Sequence, residues 1–170
     1  MGLQLVFIVE TDTKCKSDSI YIKDTIEQFY QYDPAHTKFS FVYMDGKGNY
    51  SRSKVKGEIK DYVNPYRGES VVIYCLDCDD YDSKPEDLVF FNTVKQYCAN
   101  HGYEFVWFCK DIESVYLGRK IPKSRKKAES ALFKGKRQIR SVSTSKLLAT
   151  ALCPNTSNLM RVLDRYLMRK

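Results

Sequence analysis

The chain has 170 residues, 43% hydrophobic and 29% charged, with 8 Gly and 5 Pro; this is the balance of one globular domain with a real core, and it excludes long disordered tails. No apolar run approaches the ~20 residues of a membrane span, and Leu3 to Val9 stops at Glu10, so neither a secretory leader nor a membrane partner is expected. The formal charge of +7 is unevenly placed: Arg119 to Arg140 holds ten Lys or Arg and one acid, which leaves the rest of the chain at −2.

In chain order, Leu3 to Val9 is the first strand-like run, rich in Val, Ile and Phe. A helix is expected over Ser17 to Tyr32, with Ile22, Ile26, Phe29 and Tyr30 at helical spacing. Lys38 to Met44 reads as the second strand. Val55, Ile59, Tyr62 and Val63 mark a second helix, with Ser51 or Ser53 as cap and Asn64-Pro65 as stop. The third strand is Ser70 to Leu76. The third helix starts at Ser83, Pro85, Glu86 and Asp87, which offer a cap, a fixed φ and two acids matched to the helix dipole, and it ends at Gly102. Its buried stripe is read as Phe90, Val94, Tyr97 and Cys98.

Tyr103 to Cys109 is the fourth strand. Beyond it, Lys123 to Phe133 fits a basic helix, Ser141 to Ser145 a loop, and Leu159, Val162, Leu163, Tyr166 and Leu167 the inner face of a terminal helix over about 156–168. Strands one, three and four are almost continuously apolar, as in parallel strands covered on both faces. The pattern β-α-β-α-β-α-β with right-handed crossovers predicts one α/β domain over 1–170. It is a three-layer α/β/α sandwich with a mainly parallel four-stranded sheet in the order 2-1-3-4, plus C-terminal helices.

Six cysteines lie far apart or inside strand-like runs, such as Cys75 and Cys109, which suits a reducing, cytoplasmic setting. Cys75 and Cys78 form a lone Cys-x-x-Cys without the second pair or following helix start that zinc or redox chemistry needs, so they read as core residues.

In an open parallel sheet, ligands bind beyond the carboxyl ends of the strands, and here those ends deliver acid. Glu10 follows strand one, with Asp12 behind it; Asp45 follows strand two; Asp77, Asp79, Asp80 and Asp82 follow strand three; Asp111 and Glu113 follow strand four. Asp45, Asp80 and Asp82 read most simply as caps or turn formers. Glu10 does not, because a glutamate abutting an apolar central strand is a poor turn residue and costly to bury unpaired. Gathered carboxylates repel one another unless a cation intervenes. Asp77 and Asp79, two apart in extended chain, would point to the same side and reach one ion together. Oxygen donors suit Mg2+ or Mn2+ in preference to zinc.

These residues resemble a known family. FIVE at Phe7 to Glu10, followed by a loop and helix, and YCLDCDD at Tyr74 to Asp80 resemble the TOPRIM fold, which pairs a glutamate after its first strand with an Asp-x-Asp after its third. Within that group the RloB-like and overcoming-lysogenization-defect nuclease families look closest, through the further acid in CKDIESVYLG, Glu113. The resemblance covers roughly Leu3 to Leu132. It implies Glu10, Asp77 and Asp79 as catalytic and metal-binding residues, Glu113 as an auxiliary metal ligand, and a setting in mobile-element or phage-defence biology. The glycine that usually follows the glutamate is Thr11 here, and Asp12 and Asp18 compete for the place of a second acid.

The implied function is Mg2+- or Mn2+-dependent hydrolysis of nucleic-acid phosphodiesters, DNA or RNA. None of the 13 tyrosines stands out as a covalent nucleophile. The basic patch supplies phosphate contacts from Arg119, Lys120, Lys123, Arg125, Lys126, Lys127, Lys134, Lys136 and Arg137, with binding that weakens as salt rises. Lys47, in Gly46-Lys47-Gly48, adds another cation where backbone amides could cradle a phosphate, although a lone Gly-x-Gly is more often a plain turn. No Gly-x-x-x-x-Gly-Lys loop occurs, so an ATPase acting with this chain would be a separate partner. The alternative is a nucleic-acid-binding module that keeps the fold without catalysis. A phosphatase using Asp77 as nucleophile would need its Asp-x-Asp after the first core strand, and too little chain follows Asp79 for the acids and lysine that such enzymes place later.

Overall fold

A computed structural model describes residues 1–170. The first strand, β1 (Leu3–Val9), is followed by α1 (Ser17–Phe29), a two-residue strand β2 (Tyr30–Gln31) and β3 (Thr37–Tyr43). Next come α2 (Ser53–Val63), β4 (Glu69–Asp77), α3 (Pro85–His101) and β5 (Glu104–Cys109). The remainder holds α4 (Ile112–Leu117), α5 (Lys126–Gly135), β6 (Thr156–Ser157), α6 (Leu159–Leu163) and β7 (Met168–Arg169).

The central sheet has five strands in the order β3-β1-β4-β5-β6. β1 lies between β3 and β4, parallel to both, with Leu3 opposite Thr37 and Glu69. β4 pairs parallel with β5, Asp77 lying opposite Phe108. The apolar runs of β1 and β4 follow from this central position. Leu5, Phe7 and Val9 enter one core, with α1, α4, α5 and α6, while Val6 and Ile8 enter the other, with α2 and α3. Removing both faces from water stabilises by about 1.5–3 kcal/mol for each large side chain fully buried, and Leu5 through Val9 are all at 0% exposure.

The expectation of four strands and a terminal helix over about 156–168 needs correction. Thr156–Ser157 is instead an antiparallel edge strand on β5, with Ser157 opposite Phe108, so the sheet is α/β and mostly parallel with a fifth strand beyond the expected order. The Asn158 side chain continues the edge: its Oδ1 accepts from Trp107 N at 2.9 Å and its Nδ2 donates to Phe105 O at 3.0 Å. Helix α6 is therefore confined to five residues, and Met168–Arg169 pairs with Tyr30–Gln31 as a separate two-stranded clasp. Leu159, Val162, Leu163 and Leu167 are nonetheless buried. Periodicity alone reported their burial without separating one helix from a helix, a turn and a strand.

Smaller differences have local causes. α1 stops at Phe29 because Tyr30 turns extended to meet β7. Ser83 does not cap α3; it sits in a turn whose N–H groups bond Asp80 O, and Lys84 precedes Pro85. The fully buried stripe of α3 is Phe91, Val94 and Cys98, with Phe90 and Tyr97 only partly covered. Lys123–Arg125 is a single 3-10 turn ahead of α5, and 3-10 turns at Gln138–Ser141 and Thr144–Leu147 flank the expected loop. No helix is long and apolar enough to cross a membrane, and all six cysteines are free.

Candidate functional site

Because β1 and β4 are parallel neighbours, their carboxyl ends finish side by side. Glu10 Oε2 accepts the backbone N–H of Asp77 at 2.8 Å. Asp77 Oδ1 in turn accepts Ile112 N–H at 3.0 Å, in the first turn of α4. That helix is capped by Asp111, whose Oδ1 takes Ser114 N–H at 2.7 Å, and the cap orients Glu113 inward to 0% exposure. Asp18, in the first turn of α1, is also buried and takes Thr11 N–H at 3.4 Å, fastening the loop that leaves Glu10.

Four carboxylates thus share one enclosed edge, and each holds its proton more tightly than usual. Burial, then the charge of Asp18, pushes Glu10 up to about 8. Burial raises Asp18 to about 6, with Lys126 opposing the shift. Glu113 rises to about 7 through burial and the Asp18 charge, again against Lys126. Asp77 is raised well above the carboxylate range by burial and by Glu10. Glu10 and Asp77 are only partly buried, and each leaves one carboxylate oxygen without a protein hydrogen bond yet within reach of solvent.

The buried side-chain polar atoms without a hydrogen-bond partner lie in three residues: Thr11, Tyr21 and Glu113, the last at both oxygens. Lys126 Nζ stands 3.4 Å from Glu113 Oε1, an ion-pair separation that supplies no hydrogen bond to either oxygen. Tyr21 is held un-ionised by burial and by the neighbouring Glu113, Asp18 and Glu129 charges. Sequence reading missed Tyr21. Asp18, Tyr21 and Thr25 recur at i, i+3 and i+7 on one face of α1, a polar stripe that is buried here and was hidden by attention to the apolar positions.

Asp79 is placed apart from this group. The strand ends at Asp77, Cys78 turns into the core, and Asp79 adopts a left-handed backbone at φ 48°. The two-residue alternation that would align it with Asp77 is therefore broken, and Asp79 forms an ion pair with Lys47 at the rim. As the side chains lie, no three carboxylate, imidazole or thiol groups converge closely enough to hold a metal ion. Of Asp12 and Asp18, only the latter is brought to the acidic edge: Asp12 is partly exposed and spends its Oδ1 on Lys14 N and Cys15 N.

Gly46-Lys47-Gly48 forms a turn with Gly46 at φ 105°, where a glycine is favoured, and Gly46 N–H bonds Glu10 O at 2.9 Å. The turn delivers the Lys47 ammonium to the acidic edge, 5.3 Å from the centre of the Phe90 ring. Beside it a mainly polar cleft of about 440 Å3 includes Asp79 and Asp111, with Lys84, Lys110 and Lys120 around it. Of these cations the sequence reading had singled out Lys120 alone.

The basic segment is less free than its charge count suggests. Arg119 and Arg125 both engage the buried Glu129, at 3.0 and 3.2 Å, and Lys126 is committed to Glu113. Ser130 and Phe133 pin α5 against the core, with Phe133 edge-on to Tyr21. Lys123, Lys127, Lys134, Lys136 and Arg137 stay exposed. Lys134 and Arg137 border a groove with Asp24 and Glu27.

Fold and site together define an α/β protein with a largely buried acidic cluster at the carboxyl edge of a mostly parallel sheet and lysines at its rim. Comparison of the chain with models of protein families, with curated proteins and with solved structures finds no match in any of the three.

Proposed function

We infer that the protein hydrolyses nucleic-acid phosphodiesters with Mg2+ or Mn2+, as the resemblance to TOPRIM-type, RloB-like nucleases implies. The observation that carries this reading is Glu113: a carboxylate at 0% exposure with both oxygens lacking a hydrogen-bond donor, gathered with Glu10, Asp18 and Asp77. Lys126 Nζ at 3.4 Å offsets its charge without a hydrogen bond to either oxygen, so the desolvation of the carboxylate is compensated only in part, and a divalent cation would complete the compensation. The donors are all oxygen, which fits Mg2+ or Mn2+. Glu10, Asp77 and Glu113 would hold the ion, with Asp79 at the rim. Once bound, the ion would polarise a phosphodiester and make a water more acidic.

The chain's own residues account for the rest. Asp18 fixes the loop after β1 through Thr11 N–H. The backbone N–H of Asp77 and of Ile112 orient Glu10 and Asp77. Lys47 and the lysines of the polar cleft would face phosphate oxygens, while Lys123, Lys127, Lys134, Lys136 and Arg137 extend the track without reading sequence.

The pairing of Asp79 with Lys47, and the absence of three converged ligand groups, favour a second reading, a binding module without catalysis. One experiment separates the two. Purified protein is incubated with plasmid and single-stranded nucleic acid in Mg2+ or Mn2+, beside Glu10→Ala and Asp77→Ala. Cleavage by the native chain that both variants lose, while still binding, supports the enzyme. Binding without cleavage leaves the module, and neither at low salt overturns both.

A further inference from the structure

We propose that an open groove between the turn before α2 and the outer face of α3 seats an unpaired nucleobase of the bound strand. This rests on the nucleic-acid reading above and names the form of substrate it takes. The groove measures about 600 Å3, within the range of small-ligand sites. Its chemistry differs from the rest of the surface. In a chain that is 29% charged, no Asp, Glu, Lys or Arg lines it. The rings of Tyr50 and Tyr97 line it, 5.1 Å apart and at 82° to each other. Asn92, Gln96 and Asn100 recur every four residues along one face of α3 and line its wall; Gln96 Nε2 donates to Asn100 Oδ1 at 2.9 Å, so the groups on offer are the Asn92 amide, Gln96 Oε1 and Asn100 Nδ2.

A phosphate or metal ion would find no charge here. A flat, uncharged ligand with hydrogen-bonding edges finds both an aromatic surface and amides that read such edges. Position favours a base over any other planar ligand. The Lys47 ammonium, at the acidic edge, lies over the Phe90 ring, and Phe90 is 5.8 Å from Tyr50, so the groove opens where a strand held at Lys47 would continue. In a duplex the bases are stacked and paired, and none could enter. The substrate is therefore single-stranded, or opened, where it crosses α3.

The test measures equilibrium binding of two single-stranded oligonucleotides of equal length, one intact and one with abasic sites throughout, in chelator to prevent cleavage. The native chain is expected to favour the intact strand by about tenfold, from stacking and edge contacts together. In the double variant Asn92→Ala, Gln96→Ala, both on the exposed face of a helix, this preference should fall by about fivefold or more while affinity for the abasic strand is unchanged. Equal affinity of the native chain for both strands, a preference for duplex, or a preference that survives in the variant would overturn the groove assignment and leave the acidic site standing. Failure to bind either strand at low salt would overturn both.

Discussion

The acidic edge and the basic segment carry the chain's two concentrations of charge, and the structure treats them in opposite ways. Ten cations in Arg119 to Arg140 are spread over an exposed surface, and three of them are tied to Glu113 or Glu129. Water and counterions screen the others, so each contributes little by itself. At the acidic edge four carboxylates occur in three separate stretches of sequence, yet Asp18 and Glu113 are buried, Glu10 and Asp77 half-buried, and all four have raised proton affinity. Burial, more than the number of charges, sets how much free energy a group holds in reserve for chemistry.

The sharpest way to break this contrast is substitution at the acidic edge. Glu10→Gln and Asp77→Asn should lower any cleavage rate on the order of 10²–10³-fold or more, measured on plasmid nicking, whereas Lys127→Ala and Lys134→Ala should act on binding alone. Comparable losses of rate from both sets would erase the distinction.

Divalent ions should act on the folded state at this edge. At pH 8, Mg2+ or Mn2+ at a hundredfold excess over its Kd should stabilise by about 2.7 kcal/mol, or roughly 5–11 °C in Tm for a chain of this length. At pH 4.5 the gain should vanish, because the carboxylates are protonated. Equal melting curves with and without the ion at pH 8 would remove the cation from the scheme.

The pH dependence without metal follows from the sign of the shifts. Glu10, Asp18 and Glu113 bind protons more tightly folded than unfolded, so their contribution is full below about pH 4 and is lost as pH climbs through about 6, 7 and 8. Glu113→Gln should therefore raise stability at pH 8, on the order of 1–3 kcal/mol, with little change at pH 4.5. Denaturant melts at the two pH values check this, and a variant destabilised at pH 8 would mean that the Lys126 pair outweighs the desolvation of Glu113.

The smallest effects belong to the basic segment. Each exposed lysine removed, such as Lys127 or Lys134, should reduce the slope of log K against log salt by roughly 0.7–0.9. Arg125→Ala should cost no more than about 1 kcal/mol of stability, since its partner Glu129 keeps Arg119.

The site was legible in part, for identifiable reasons. Glu10 and Asp77 were readable because strand ends in a parallel sheet converge on one edge, and Glu113 because it follows the next strand. Asp79 was misaligned because the left-handed turn at that residue breaks the alternation of an extended chain. Tyr21 was missed because its polar stripe on α1 looks like any solvated face until the helix is packed, and the lysines at 84 and 110 because their relation to the site exists only across elements.

By itself the sequence determined the long strands, the helices between them and the gathering of acid beyond the strand ends, since hydrophobic period and capping chemistry are local. Only the tertiary structure decided that Thr156–Ser157 closes the sheet edge, that Asp18 and not Asp12 joins the cluster, and that Glu113 is left without a hydrogen-bond donor. Those outcomes depend on which surfaces water can reach, and solvent access is a property of packed elements that no single stretch of chain contains.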